Sequence, residues 1–137
     1  METGKKRFEH TEEFREDKSR PILIVDDSVE ILDVLTHILT IGNYRVRIAS
    51  SGQAAFESIA DEIPSLILLD IKMPDMDGYE VCRRLKNDER TAGVPVILMS
   101  GFDDTARRTK CFNAGGVDFV TKPFQAEELL ARIKVHL

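Results

Sequence analysis

The sequence predicts a doubly wound α/β domain, in which a parallel sheet is covered by helices on both faces. Short apolar runs alternate with longer segments whose apolar residues recur at helical spacing, and this cycle occurs five times between residues 21 and 137. Short continuous apolar runs are typical of strands that are buried on both faces. Alternation of strands and helices favours a parallel sheet, because each helix carries the chain back to the edge where the next strand begins.

The first strand is predicted at residues 22–25, which form an uninterrupted apolar run. A helix follows, because apolar residues then recur three and four positions apart, and Gly42 and Asn43 mark its end. The apolar positions of this helix are Ile31, Leu32, Leu35, Ile38 and Leu39.

The second strand is predicted at residues 44–49. It reads as an edge strand with one solvated face, because the apolar residues Val46 and Ile48 alternate with arginines. The second helix is predicted at residues 52–60. Its inner side carries Ala55, Phe56 and Ile59.

Three further cycles complete the pattern. Strands are predicted at residues 66–69, 96–99 and 117–120, and helices at 79–86, 105–114 and 126–137. The inward positions are Val81, Cys82 and Leu85 in the third helix and Leu129, Leu130 and Ile133 in the fifth. Five strands and five helices in this order predict a three-layer (βα)5 sandwich.

The first 20 residues differ from the rest of the chain. Residues 1–20 are densely charged, and their only large apolar residues are Phe8 and Phe14. Two apolar side chains are too few to build a core, so this extension is predicted to be disordered or to form a short helix lying on another surface. The folded domain is predicted at residues 21–137.

The overall composition indicates a soluble globular protein, with 42% hydrophobic and 31% charged residues. The net charge of -5 argues against a general nucleic-acid-binding surface. No apolar run approaches the ~18 residues that span a bilayer, and the N-terminus lacks a signal-peptide core. Cys82 and Cys111 lack C-x-x-C spacing, which favours reduced thiols and a cytoplasmic location over a disulfide.

Polar side chains follow four of the five predicted strands. Asp26 and Asp27 end the first run, Asp70 the third, Ser100 the fourth and Lys122 the fifth. In an open α/β sheet, ligands bind outside the carboxyl ends of the strands, and these side chains are expected to meet there. Each has an ordinary structural role when taken alone: a capping box, a turn, a loop start or a solvated charge.

Taken together, the three carboxylates favour a functional site. At ~4 Å and an effective dielectric constant near 20, each like-charged pair costs about 4 kcal/mol, so a cation, a lysine or a raised pKa must offset the repulsion. Oxygen ligands without His or Cys favour Mg²⁺, which leaves coordination positions for water and a phosphate. One carboxylate can then act as the nucleophile towards phosphorus, with the metal and Lys122 neutralising the phosphoryl oxygens.

Four motifs in this order resemble the receiver domains of two-component response regulators. They are ILIVDDS at 22–28, LILLDIKMPDMDG at 66–78, PVILMSG at 95–101 and DFVTKPF at 118–124. The resemblance runs from about residue 21 to residue 137 and implies a flavodoxin-like fold with strand order 2-1-3-4-5. It also implies self-catalysed phosphoryl transfer and slow autodephosphorylation rather than an enzyme acting on other substrates.

The resemblance assigns roles to individual residues. It implies that Asp70 is the phosphoacceptor and that Mg²⁺ is bound by Asp27, Asp70 and the main-chain carbonyl of Lys72, with Asp26 acting mainly through a metal-bound water. Lys122 is implied to contact the phosphoryl group, and its bond to Pro123 to be cis.

Two residues are implied to form the conformational switch. The hydroxyl of Ser100 is expected to move towards the phosphoryl group and vacate space that Phe119 then fills. Many relatives have threonine and tyrosine at these two positions, so this chain keeps the first hydroxyl and lacks the second. Lys72 and Phe102 flank the site where phosphoryl lifetime is tuned in the family.

The implied partners are a sensor histidine kinase or a histidine phosphotransfer protein, and a downstream output protein or fused domain. The face built from the fourth helix, fifth strand and fifth helix is expected to report the state and to allow a homodimer. Direct nucleic-acid and membrane partners are not expected. The rivals are a pseudo-receiver that is never phosphorylated, a flavodoxin-like FMN binder, and a haloacid-dehalogenase-type phosphatase, whose D-x-D motif would need an acid where Lys72 stands.

Overall fold

The computed structural model describes residues 20–137, which fold as five strands and five helices in strict alternation. The strands are β1 (Ile22–Val25), β2 (Val46–Ala49), β3 (Leu66–Asp70), β4 (Val96–Ser100) and β5 (Asp118–Thr121). The helices are α1 (Val29–Ile41), α2 (Gly52–Asp61), α3 (Gly78–Lys86), α4 (Thr105–Asn113) and α5 (Ala126–His136). Of the predicted extension, all but Arg20 lies outside the described residues.

The strands form one parallel sheet in the order β2-β1-β3-β4-β5. This confirms the predicted doubly wound topology. The register pairs Val25 with Leu69 and Leu69 with Leu98, so the carboxyl ends of the central strands lie level with one another. That alignment brings the residues that follow β1, β3 and β4 to a common edge.

Two apolar layers cover the sheet. On one face, α1 and α5 bury Leu35, Leu39 and Ile133 against the side chains of Ile24 and Leu68. On the other face, α2, α3 and α4 cover the opposite side chains of the same strands. This second layer contains Ala55, Ile59, Val81, Cys82, Leu85 and Cys111. The central strands β1, β3 and β4 are buried along their whole length, which explains their continuous apolar sequences.

The edge strand β2 differs from its prediction. It begins at Val46 rather than at residue 44, and Ile48, expected to face inward, is 55% exposed. The buried residue at its end is Ala49. β2 is the outermost strand of the sheet, and the helices cover it less completely than they cover the central strands.

The two cysteines lie in the layer formed by α3 and α4. Cys82 and Cys111 are both buried and free. Burial raises the pKa of both thiols, that of Cys111 to about 12, so both are poor nucleophiles at neutral pH. Among the described residues, no helix is long and apolar enough to cross a bilayer.

Helix α4 depends on a side-chain cap that helix α5 lacks. The carboxylate of Asp104 accepts a hydrogen bond from the backbone N–H of Arg107 at 2.8 Å, whereas Gln125, at the equivalent place before α5, makes no such bond. Losing a cap costs ~1 kcal/mol. We therefore expect Asp104→Ala to lower the free energy of unfolding by about 1 kcal/mol in urea titrations, and Gln125→Ala to leave it nearly unchanged. Equal losses in the two variants would contradict this assignment.

Candidate functional site

Four strands deliver polar side chains to one edge of the sheet. Asp26 and Asp27 follow β1, Asp70 is the last residue of β3, Ser100 is the last residue of β4, and Lys122 follows β5. All five line a single cavity of about 690 Å³ at the carboxyl ends of the strands. The structure therefore brings together the side chains that the sequence predicted to meet.

Lys122 joins two of the carboxylates. Its Nζ lies 2.8 Å from Oδ2 of Asp26 and 3.1 Å from Oδ1 of Asp70. Both acids are almost completely buried, and the other oxygen of Asp26 accepts a hydrogen bond from the backbone N–H of Ser28 at 3.0 Å. Lys122 is thus held in the site by donating charge-assisted hydrogen bonds to one acid that follows β1 and one that ends β3.

Three carboxylates form a potential metal site. One oxygen from each of Asp26, Asp27 and Asp70 lies within 4.8 Å of the others, and Asp27 is exposed while the other two are buried. With Lys122 included, the four side chains carry two formal negative charges in excess. A divalent cation would balance this excess, and an all-oxygen donor set suits Mg²⁺. The residues present therefore fit the predicted cofactor.

The environment changes the acidity of the central pair. Burial raises the pKa of Asp70, and the neighbouring charge of Asp26 raises it further, while Lys122 acts in the opposite direction. Burial alone would lower the pKa of Lys122, but its bonds to Asp26 and Asp70 outweigh burial and leave that pKa above its ordinary value. Asp70 is therefore a more basic carboxylate than an exposed aspartate, and a more basic oxygen is a better nucleophile.

The loop after β3 turns tightly around the site. The backbone N–H of Ile71 donates to the carbonyl of Met99, and the N–H of Gly78 donates to the carbonyl of Ile71 at 2.7 Å. Asp77 caps the start of α3 by accepting a hydrogen bond from the N–H of Glu80. Lys72, predicted to offer its carbonyl to the metal, lies in this loop and lines the cavity.

The two predicted switch residues are in defined positions. The hydroxyl of Ser100 accepts a hydrogen bond from the N–H of Phe102 at 3.0 Å. The ring of Phe119 lies inside the protein, 1% exposed, with the guanidinium of Arg108 5.2 Å from its centroid. The interior already holds this ring, and the coupled movement of Ser100 and Phe119 stays a prediction. The peptide bond between Lys122 and Pro123 is cis.

The cavity also has walls that the sequence reasoning missed. Tyr79 of α3 and Arg107 and Lys110 of α4 line the same cavity as the acids. Lys110 Nζ lies 5.0 Å from the ring centroid of Tyr79, and the guanidinium of Arg107 lies 4.8 Å from that of Phe102. Arg107 and Lys110 are one helical turn apart on α4, a spacing that indicates a shared face but does not say that this face borders the acids.

Comparison with known proteins identifies the class of protein. The family model described as "Response regulator receiver domain" matches residues 22–134. The chain therefore belongs to the receiver domains of two-component response regulators. Phosphorylation and Mg²⁺ binding are typical of this family.

Individual relatives agree with this membership. The chain is 38% identical over 116 residues to the DNA-binding dual master transcriptional regulator RpaA of Synechocystis sp., and 40% identical over 116 residues to the response regulator PleD of Caulobacter vibrioides. Each alignment covers 85% of this chain but only 48% of RpaA and 26% of PleD. The chain thus spans about half, or less, of the length of these relatives.

Solved structures agree as well. A putative response regulator from Chloroflexus aurantiacus superposes with a TM-score of 0.82 at 32% identity, covering 85% of this chain and 96% of that one. Its fold and the sheet order observed here are those of the flavodoxin-like receiver domain.

Proposed function

We propose that Asp70 accepts a phosphoryl group from the phosphohistidine of a sensor histidine kinase or a histidine phosphotransfer protein, with Mg²⁺ as cofactor. The observation that carries the proposal is the contact of Lys122 Nζ with both Asp26 and Asp70, beside three carboxylates within 4.8 Å of one another. Family membership supports the same chemistry. The predicted domain limits of 21–137 and a cytoplasmic location belong to this proposal.

The chemistry is a single displacement at phosphorus. A carboxylate oxygen of Asp70 forms the new P–O bond, the P–N bond to the donor imidazole breaks, and its electron pair stays with the departing imidazole. Asp27, Asp70 and the carbonyl of Lys72 would hold Mg²⁺, with Asp26 acting mainly through a metal-bound water, and the ion would supply positive charge for the phosphoryl oxygens. Lys122, already 3.1 Å from Asp70, is placed to bind one of those oxygens.

The product changes the charge at the end of β3. An aspartyl phosphate adds roughly -1.5 to -2 charge and three acceptor oxygens. The hydroxyl of Ser100, the buried last residue of β4, is a donor for one of those oxygens. Its movement is proposed to repack Phe119 and the face formed by α4, β5 and α5, where an output protein or a second copy of the domain binds.

The rival functions fit the site less well. A pseudo-receiver needs neither a lysine between two buried acids nor three clustered carboxylates, and both are present. A phosphatase of the D-x-D type needs a carboxylate at position 72, where this chain has lysine. Asp26 and Asp27, at the place where an FMN binder holds its phosphate, would repel it.

The test is Mg²⁺-dependent labelling with its position determined. Incubation of the chain with ³²P-acetyl phosphate or a phosphorylated histidine kinase should give about one phosphoryl group per chain in Mg²⁺ and almost none in EDTA. Borohydride reduces an acyl phosphate to an alcohol, so mass spectrometry should find homoserine at position 70. Labelling that resists EDTA, or homoserine at another position, would contradict the proposal.

A further inference from the structure

Asp75 connects the loop after β3 to the start of a different helix. Its Oδ1 accepts a hydrogen bond from the backbone N–H of Gly52 and its Oδ2 one from that of Gln53, both at 3.0 Å. These two amides begin α2, more than 20 residues earlier in the chain. The two bonds lower the pKa of Asp75, so the carboxylate is ionised at neutral pH.

Helix α2 does not need Asp75 to begin. Ser51 already caps it, accepting a hydrogen bond from the N–H of Ala54 through its hydroxyl and one from Ala55 through its carbonyl. The two amides that remain are those bound by Asp75, and a negative charge at this end of a helix is favourable. Beyond the cap that Ser51 provides, the carboxylate of Asp75 therefore connects two separate segments of the chain.

The absence of a side chain at Gly52 lets the loop approach. A Cβ at position 52 would lie 3.3 Å from Cβ of Met76 and 3.3 Å from Val81, tighter than ordinary contact. The loop from residue 71 to residue 77 is therefore held at three places. Its start is bonded to β4, its end to its own start through Gly78, and its middle to α2 through Asp75.

Lys72 lies between the attachment at Ile71 and the attachment at Asp75. Its carbonyl is the main-chain ligand of the proposed Mg²⁺ site, and the direction of a carbonyl depends on how the flanking backbone is fixed. We propose that Asp75 is a positioning residue for Mg²⁺: by bonding to α2 it holds the loop in the conformation that presents this carbonyl beside Asp27 and Asp70. This inference rests on the proposed function of the site.

Mg²⁺ binding and the hydrogen bonds of Asp75 should strengthen each other. If the bonds of Asp75 favour the conformation that binds Mg²⁺, then Mg²⁺ must favour those bonds by the same factor. Hydrogen exchange at the amides of Gly52 and Gln53 measures the strength of their bonds to Asp75 directly. In the wild-type chain, Mg²⁺ should slow hydrogen exchange at both amides, although neither is a proposed ligand, and in an Asp75 variant this response should disappear.

The experiment measures Mg²⁺ affinity by NMR titration in Asp75→Ala and Asp75→Asn. Removing an outer-shell partner of a metal site weakens binding on the order of 10–100-fold. We expect Asp75→Ala to raise the Kd for Mg²⁺ about tenfold, and Asp75→Asn, which keeps one acceptor oxygen, to raise it less. Labelling of Asp70 at saturating Mg²⁺ should return close to the wild-type rate, because the nucleophile is unchanged.

Asp88→Ala is the matched control. Asp88 is also a loop carboxylate that accepts a backbone hydrogen bond, from Arg90 at 2.9 Å, but it lies after α3, away from the acids. The Asp88→Ala substitution should leave the Kd for Mg²⁺ unchanged. If the Asp75 variants lose thermal stability but keep the wild-type Kd, Asp75 is a structural cap and the inference is wrong. If wild-type protein itself fails to bind Mg²⁺ or to be labelled, the proposed function fails first and this inference with it.

Discussion

Replacing Asp70 with asparagine is expected to abolish phosphoryl labelling by acetyl phosphate in Mg²⁺. The amide keeps the shape of the side chain but has no nucleophilic oxyanion and no charge for a metal. Lys122 and Asp26 remain in contact with each other in this variant, so the rest of the site is preserved. The matched control is Asp33→Asn, which removes an exposed carboxylate on α1 and should be labelled at the wild-type rate.

The same substitution is expected to stabilise the fold when Mg²⁺ is absent. Burial and Asp26 raise the pKa of Asp70 in the folded state, so the folded chain binds a proton at this site more tightly than the unfolded chain does. Stability therefore falls as pH rises from the ordinary aspartate pKa through the raised one, and above the raised pKa the whole penalty is present. Asparagine does not ionise, so the variant does not lose this stability as pH rises.

Thermal unfolding in EDTA across the pH range measures this effect. Asp70→Asn should have the higher Tm at pH 7, and the difference from wild type should shrink as pH is lowered towards and below the ordinary pKa of aspartate. Saturating Mg²⁺ should reduce or reverse the difference at pH 7, since a ligand that binds only the folded state stabilises it. A lower Tm for Asp70→Asn at pH 7 in EDTA would show that the contact with Lys122 outweighs the cost of burying the charge.

The buried strands could be predicted closely from the sequence. β1 has its predicted bounds, and β3 and β4 each extend only one residue further, to Asp70 and Ser100. A parallel strand that is covered on both faces must be apolar throughout, and the polar residues that end it are those needed at the ligand-binding edge. The residues that burial of the strand requires are therefore the same residues that identify the strand in the sequence. The edge strand β2 lacks this double cover, and there the prediction for Ile48 was wrong.

Contacts between distant segments were beyond sequence reasoning. The strand ends indicated that Asp26, Asp70 and Lys122 share an edge, but not that one ammonium reaches both carboxylates across 96 and 52 residues of chain. No sequence pattern predicted the hydrogen bonds of Asp75 to α2, because an aspartate in a turn is usually interpreted as a local turn former. Which way a side chain such as Phe119 turns depends on packing between α4 and β5, which no local pattern encodes.

Replacing Gly78 with alanine is expected to damage both stability and the site. A Cβ at this position would lie far inside van der Waals contact with the carbonyl oxygen of Asp70 and 2.9 Å from Cα of Ile71. Those are backbone atoms held by the hydrogen bond from Gly78 to Ile71 and by the pairing of β3 with β4, so they cannot move aside cheaply. Overpacking costs about 1–3 kcal/mol, and a rigid neighbour places Gly78→Ala at the upper end of that range.

Gly93→Ala is the control for this prediction, because a Cβ at position 93 meets no atom within 4 Å. Urea titrations should show a loss of about 2–3 kcal/mol for Gly78→Ala and nearly none for Gly93→Ala. The added methyl group would displace Asp70, the proposed nucleophile, and the loop that contains Lys72, so the folded protein should also be labelled more slowly at subsaturating Mg²⁺. Wild-type stability and labelling in Gly78→Ala would mean that the loop moves freely, and the close approach of α3 to Asp70 would then have no part in shaping the site.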